Sequence, residues 1–163
     1  MKYFIAVLFC CMMLSVSTAQ VTGKKYINVK LENTDGKYVE LKNYIGKGPV
    51  LLSFWATWCK PCVEEMGELN KIYKELSPKG LNIIALATDN EKSVSKVKPF
   101  VKSKNYPFVF LLDTNSDAAK KYYAQAVPYS VLIDKHGNIV YTHLGYMKGD
   151  EITLKNKIAE LLK

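Results

Sequence analysis

Residues 50–62 read VLLSFWATWCKPC, an apolar, strand-like run that ends in two cysteines separated by two residues. An amphipathic helical pattern follows at once, so the dithiol is placed at the amino end of a helix. Unpaired backbone N–H groups and the helix dipole favour negative charge there. A cysteine at that end loses its proton more readily, and the thiolate is the form that attacks disulfides. A pKa lowered from about 8.5 to about 7 raises the thiolate fraction at neutral pH from roughly 3% to roughly half. The stretch thus requires a strand feeding a helix, and it points to thiol chemistry.

The rest of the chain alternates in the same way. Residues 29–31 and 38–41 read as short strands around the turn signal Asn33-Thr34-Asp35-Gly36. After the central strand, 50–54, a helix is expected over 60–76 and a buried strand over 81–88. Residues 91–104 have helical character, with Pro99 predicting a kink or an early stop. A strand over 108–112, a short helix over 116–124 and a hairpin of 129–133 with 139–144 come next. The chain closes with a helix over 151–162, whose apolar side is read as Ile152, Ile158, Leu161 and Leu162. No repeat or linker divides it, so the expectation is one α/β domain over residues 20–163, a mixed sheet flanked by helices.

Residues 1–19 read as a cleaved secretory signal, the alternative being a segment retained as an anchor. Lys2 precedes an apolar run of eleven residues, 4–14, and small residues end the segment at Ser17-Thr18-Ala19. Eleven apolar residues are too few for a stable membrane span, which takes about 20. Cys10 and Cys11 come too early for lipid attachment, and bulky Phe9 precedes them. Cleavage would remove Lys2 and lower the net charge from +8 to +7, leaving Cys59 and Cys62 as the only cysteines. A bridge closing so small a loop removes little unfolded-chain entropy, so its purpose is chemical. All 23 basic residues are lysines, spread along the chain, with no arginine for bidentate phosphate or base recognition. Nucleic-acid binding is therefore not expected.

At these residues the chain resembles the thioredoxin superfamily, and more narrowly the exported TlpA and ResA group of thiol–disulfide oxidoreductases. The resemblance rests on Phe54-Trp55-Ala56-Thr57-Trp58-Cys59-Lys60-Pro61-Cys62, Tyr106-Pro107-Phe108 with Leu111-Leu112-Asp113, Val127-Pro128, and the run from Ile133 to Val140. It implies a thioredoxin-like fold with an N-terminal hairpin and a segment inserted before a cis-proline. It implies Cys59 as exposed nucleophile, Cys62 as recessed resolving thiol, and a redox-active disulfide between them. It also implies that Pro128 is the cis-proline, leaving the backbone of Val127 free to hold a substrate strand, and that Trp58 belongs to an apolar docking rim. Trp55 reads as a core aromatic.

Cytoplasmic thioredoxins carry a buried aspartate where this chain has Ser53. The helix supplies another candidate. At about 100° per residue, with Cys62 at zero, Glu65 falls at about −60°, inside the stripe of Met66, Leu69, Ile72, Tyr73 and Leu76. The related group has a functional glutamate at the matching position. The alternative is that Glu65 only favours the helix dipole from the first turn.

The function expected is an exported, periplasmic thiol–disulfide oxidoreductase that reduces client proteins. The resemblance implies electrons from a membrane thiol reductase, with service to haem attachment on c-type cytochromes. A peroxiredoxin needs an arginine that this chain lacks. A copper metallochaperone of the same fold is the alternative from another class, disfavoured because no histidine is matched to Cys59 and Cys62. His136 and His143 stand apart from the cysteines, so no metal and no cofactor is expected.

Overall fold

The structure is a computed structural model that describes residues 22–163. The expected signal, residues 1–19, and the expected domain start at residue 20 lie outside the described residues. The central strands form where apolar and β-branched residues run between turn signals, and the short edge hairpin alternates polar with apolar residues. In chain order these are β1 (Lys30–Asn33), β2 (Tyr38–Glu40), β3 (Val50–Trp55), β4 (Asn82–Ala87), β5 (Val109–Leu112), β6 (Tyr129–Ile133) and β7 (Ile139–Leu144). They form one sheet in the order β2-β1-β5-β4-β3-β6-β7. β3, β4 and β5 are parallel, whereas β6 runs antiparallel to β3 and β7 antiparallel to β6. The fold is thioredoxin-like, with a mixed sheet and helices on both faces.

Every residue of β3 is buried, as a central strand covered on both faces requires. Alternation sends Leu51 and Trp55 to one side, against Met66, Leu69 and Ile72 of α1 (Lys60–Leu76) and Val97 of α2 (Val97–Lys104). Leu154 and Ile158 of α4 (Asp150–Leu161) close the same core. Val50, Leu52 and Phe54 point the other way, against Ala118 and Ala119 of α3 (Asp117–Lys121) and against Tyr122. The segment expected before the proline, residues 106–113, contains β5, which is seated between β1 and β4.

Five readings shift. The first strand runs from Lys30 to Asn33, two residues later at its end. The helix read over 91–104 is only α2, after a 3-10 turn at Val94–Lys96. Pro99 is the third residue of α2, where an N–H has no acceptor within the helix, so it neither kinks nor stops it. The helix read over 116–124 ends at Lys121, because Tyr123 takes a left-handed φ of 58°. In α4 the buried stripe is Leu154, Ile158 and the partly buried Leu161, at i, i+4 and i+7. Ile152 stands about 200° round from Leu154 and is exposed.

Candidate active site

The turn between β3 and α1 is built by hydrogen bonds on both sides of the cysteines. Asp89, fully buried after β4, accepts from the Thr57 N–H at 2.9 Å and from the Thr57 hydroxyl. The Cys59 N–H donates to Ala56 O at 3.1 Å. Cys59 is then the N-cap of α1, and its sulfur accepts the Cys62 N–H at 3.3 Å. Pro61 sits in the first turn, where its missing N–H is not needed. Cys59 and Cys62 are joined in a disulfide, with their Cα atoms 5.3 Å apart. Cys59 is 6% exposed and Cys62 fully buried, so the resemblance overstated how open the first cysteine is, although the order of the two is as implied.

Glu65 lies one turn beyond Cys62 and is 3% exposed, in the buried stripe where the helical spacing placed it. Ser130 of β6 donates its hydroxyl to Glu65 Oε1 at 3.1 Å. Oε2 has no hydrogen-bond partner among the described residues. Burial pushes the Glu65 carboxyl up to about 7; the Ser130 hydrogen bond opposes this, and the nearby Asp150 carboxylate adds to it. Ser53, in the place of the thioredoxin aspartate, pairs with Ser130 across the β3–β6 ladder. The carboxylate therefore reaches this part of the sheet from the helix rather than from the strand.

The Val127–Pro128 peptide bond is cis. Val127 lines a cavity of about 690 Å³ together with Trp58, Thr88, Ala119, Lys120 and Tyr123. Trp58 is 67% exposed at its edge, whereas Trp55 is buried between Phe100 and Phe110, with ring centroids 4.9 and 5.8 Å away. Lys60 is exposed beside the disulfide. His143 Nε2 stands 3.1 Å from Asp150 Oδ2, and His136 belongs to the β6–β7 turn. Among the described residues no three His, Cys, Asp or Glu side chains gather as metal ligands.

Sequence reasoning missed Ser130, Asp89 and Tyr123. A signal existed for the first: one serine interrupts an otherwise apolar, fully buried strand in β6, as Ser53 does in β3. Asp89 lies two residues past the end of β4 with nothing local to mark it, and the exposure of Tyr123 depends on how α3 ends.

The Redoxin family model matches residues 20–159. The thiol-disulfide oxidoreductase ResA of Bacillus thuringiensis subsp. konkukian (strain 97-27) is 38% identical over 141 residues, covering 86% of this chain and 76% of that one. ResA of Bacillus subtilis (strain 168) is 34% identical over 148 residues, covering 86% and 81%. Among solved structures, one assigned to a thiol:disulfide interchange protein DsbE of Chlorobium tepidum has a TM-score of 0.80 at 25% identity, covering 87% and 98%. The exposed lipoprotein thioredoxin of Streptococcus pneumoniae strain TIGR4 has a TM-score of 0.68 at 29% identity, covering 83% and 100%. With a dithiol at a helix start and relatives that are thiol–disulfide oxidoreductases, the chain belongs to the Redoxin family as a thioredoxin-like protein-disulfide oxidoreductase whose redox-active disulfide is Cys59–Cys62.

Proposed function

We propose that the protein works outside the cytoplasm as a reductant of client disulfides, with Glu65 serving the resolving step. In the reduced enzyme the Cys59 thiolate attacks one sulfur of a client disulfide. That bond breaks, one client thiolate leaves, and a mixed disulfide joins Cys59 to the client. The Glu65 carboxylate then takes the proton of Cys62. The Cys62 thiolate attacks Cys59 Sγ, the mixed disulfide breaks, and the client leaves with two electrons gained. The enzyme is left as the Cys59–Cys62 disulfide, the state seen in the structure. Two electrons from a membrane thiol reductase restore the dithiol.

The observation that carries this reading is a buried carboxylate, one turn from the buried cysteine, with one oxygen unpartnered. A base with a pKa of about 7 suits proton exchange at neutral pH. Trp58, which precedes Cys59, and Val127 line one cavity and are the proposed contacts for a client strand, with Pro128 presenting the Val127 backbone. Export is supported by the apolar run at 4–14 and by the similarity to the pneumococcal thioredoxin, an exposed lipoprotein. Bacterial periplasm is the proposed compartment. The resemblance to the TlpA and ResA group supports cysteine pairs of c-type cytochromes, before haem attachment, as clients. Equilibration of the protein with glutathione buffers tests the direction. A reduction potential near that of thioredoxin, about −270 mV, is expected, and one near −120 mV would make the protein an oxidant.

A further inference from the structure

β6 is held on both sides, by β3 and by β7, so its side chains are firmly placed. Ser130 is the second residue of this strand, opposite Ser53 on one neighbour and His143 on the other. Its hydroxyl supplies the one hydrogen bond made by the Glu65 carboxylate among the described residues. A glutamate has several side-chain torsions to fix, and an apolar wall fixes them poorly. A hydroxyl on a rigid strand fixes them well. It also suits both protonation states, since it donates to a carboxylate and can turn to accept from a carboxylic acid.

We infer that Ser130 is a positioning residue for the exchange reaction: by anchoring Oε1 it keeps Oε2 of Glu65 available to take the proton of Cys62. This rests on the proton-acceptor reading of Glu65. The groups around the carboxylate from each packed element are few. Asp150 stands at the start of α4 with His143 of β7 beside it, Tyr141 lies on β7, and Tyr146 lies in the loop that follows. Cys62 is on the same helix, and Ser53 and Ser130 face it from the sheet. Ser130 alone of these is hydrogen-bonded to Glu65.

The test uses Ser130→Ala, Glu65→Gln and the double variant. Resolution of a mixed disulfide between Cys59 and a model peptide is followed by rapid mixing from pH 5 to 9. Alkylation of Cys59 is the control for the first step. Titration of the Glu65 carboxyl in the oxidised protein is read by carbon NMR. Loss of the hydrogen bond should slow resolution about 3- to 10-fold at pH 7 and move its acid limb and the NMR midpoint upward by about one pH unit. Cys59 alkylation should not change, and Ser130→Ala should add nothing to Glu65→Gln. Superimposable profiles and midpoints for Ser130→Ala and the parent would overturn the positioning role. So would an equal slowing in the Glu65→Gln background, which would mean packing alone. If Glu65→Gln itself leaves resolution unchanged, the proton-acceptor reading falls, and the role of Ser130 falls with it. If Glu65→Gln slows resolution and Ser130→Ala does not, only the positioning role is lost.

Discussion

Two buried carboxylates, Asp113 and Glu65, are held by this fold in opposite ways. Asp113 follows β5, is 1% exposed, and uses both oxygens on backbone N–H groups at the start of α3. Oδ1 accepts from Ala118 at 2.9 Å and Oδ2 from Ala119 at 2.8 Å. Glu65 is buried almost as deeply, yet it has one hydroxyl on Oε1 and nothing on Oε2. Burial raises the proton affinity of both, and in Asp113 three backbone N–H groups oppose it. The contrast separates two kinds of site. A buried acid with both oxygens on backbone N–H groups is holding the chain, and one with an unpartnered oxygen beside a cysteine is a candidate for chemistry. Trp55 Nε1 and Asn70 Oδ1 are also buried without partners, but neither titrates near neutral pH, so the rule concerns acids and bases only.

The largest effect is expected from Glu65→Gln in the oxidised protein. The folded-state pKa is raised to about 7 from an ordinary value of 4.5. Below pH 4.5 the group is neutral in both states and costs nothing. As pH rises through 4.5 to 7 the unfolded chain releases a proton that the native protein retains, so stability is lost across that window. The full cost stands above pH 7, on the order of 3 kcal/mol. Urea unfolding of both proteins from pH 4 to pH 8 should show curves that nearly coincide at pH 4, with the glutamine variant the more stable by that amount at pH 8. The same variant should resolve mixed disulfides about 10-fold more slowly at neutral pH. Curves that stay parallel would mean that Glu65 ionises at no cost to the fold, and the contrast with Asp113 would collapse.

Asp113→Asn probes the filled site. The amide keeps one acceptor but turns an N–H₂ toward a backbone N–H, leaving a buried donor without a partner. A loss of about 2 kcal/mol is expected, with exchange rates of the folded protein unchanged. A stability change below about 0.5 kcal/mol, or a slowed exchange reaction, would show that the two carboxylates are not separable by their hydrogen bonding.

What the sequence made legible follows from which contacts are local. The Cys-x-x-Cys at a strand–helix junction and the buried Glu65 are fixed by spacing along one strand and one helix, and each lies where that spacing put it. Ser130 lies 65 residues from Glu65, and their contact exists only because β6 is laid antiparallel beside β3. The apolar side of α4 was misread for a different reason. Leu154, Ile158 and Leu161 keep helical spacing, and Ile152, equally apolar, stands about 200° round from Leu154 and is exposed. The end of α3 turned on the left-handed conformation of Tyr123, which composition does not announce.

The smallest effect is expected at Trp58, where the contrast moves from acids to the two tryptophans. Trp55 is sealed in the core, whereas Trp58 leaves two-thirds of its surface open at the cavity mouth. Removing an exposed ring should change stability by no more than about 0.5 kcal/mol. A rim aromatic that contacts a client is worth about 1 kcal/mol, so Trp58→Ala should raise KM for a protein client roughly 5-fold. The rate of mixed-disulfide resolution and its pH profile should stay as they are, because the ring lies on the cavity side and Glu65 beneath the helix. Steady-state kinetics with a protein client and with a small aromatic disulfide separate the two effects. A fall in kcat with KM unchanged, or a displaced pH profile, would mean that client docking and proton transfer share residues, and that the open rim and the half-filled carboxylate are one device rather than two.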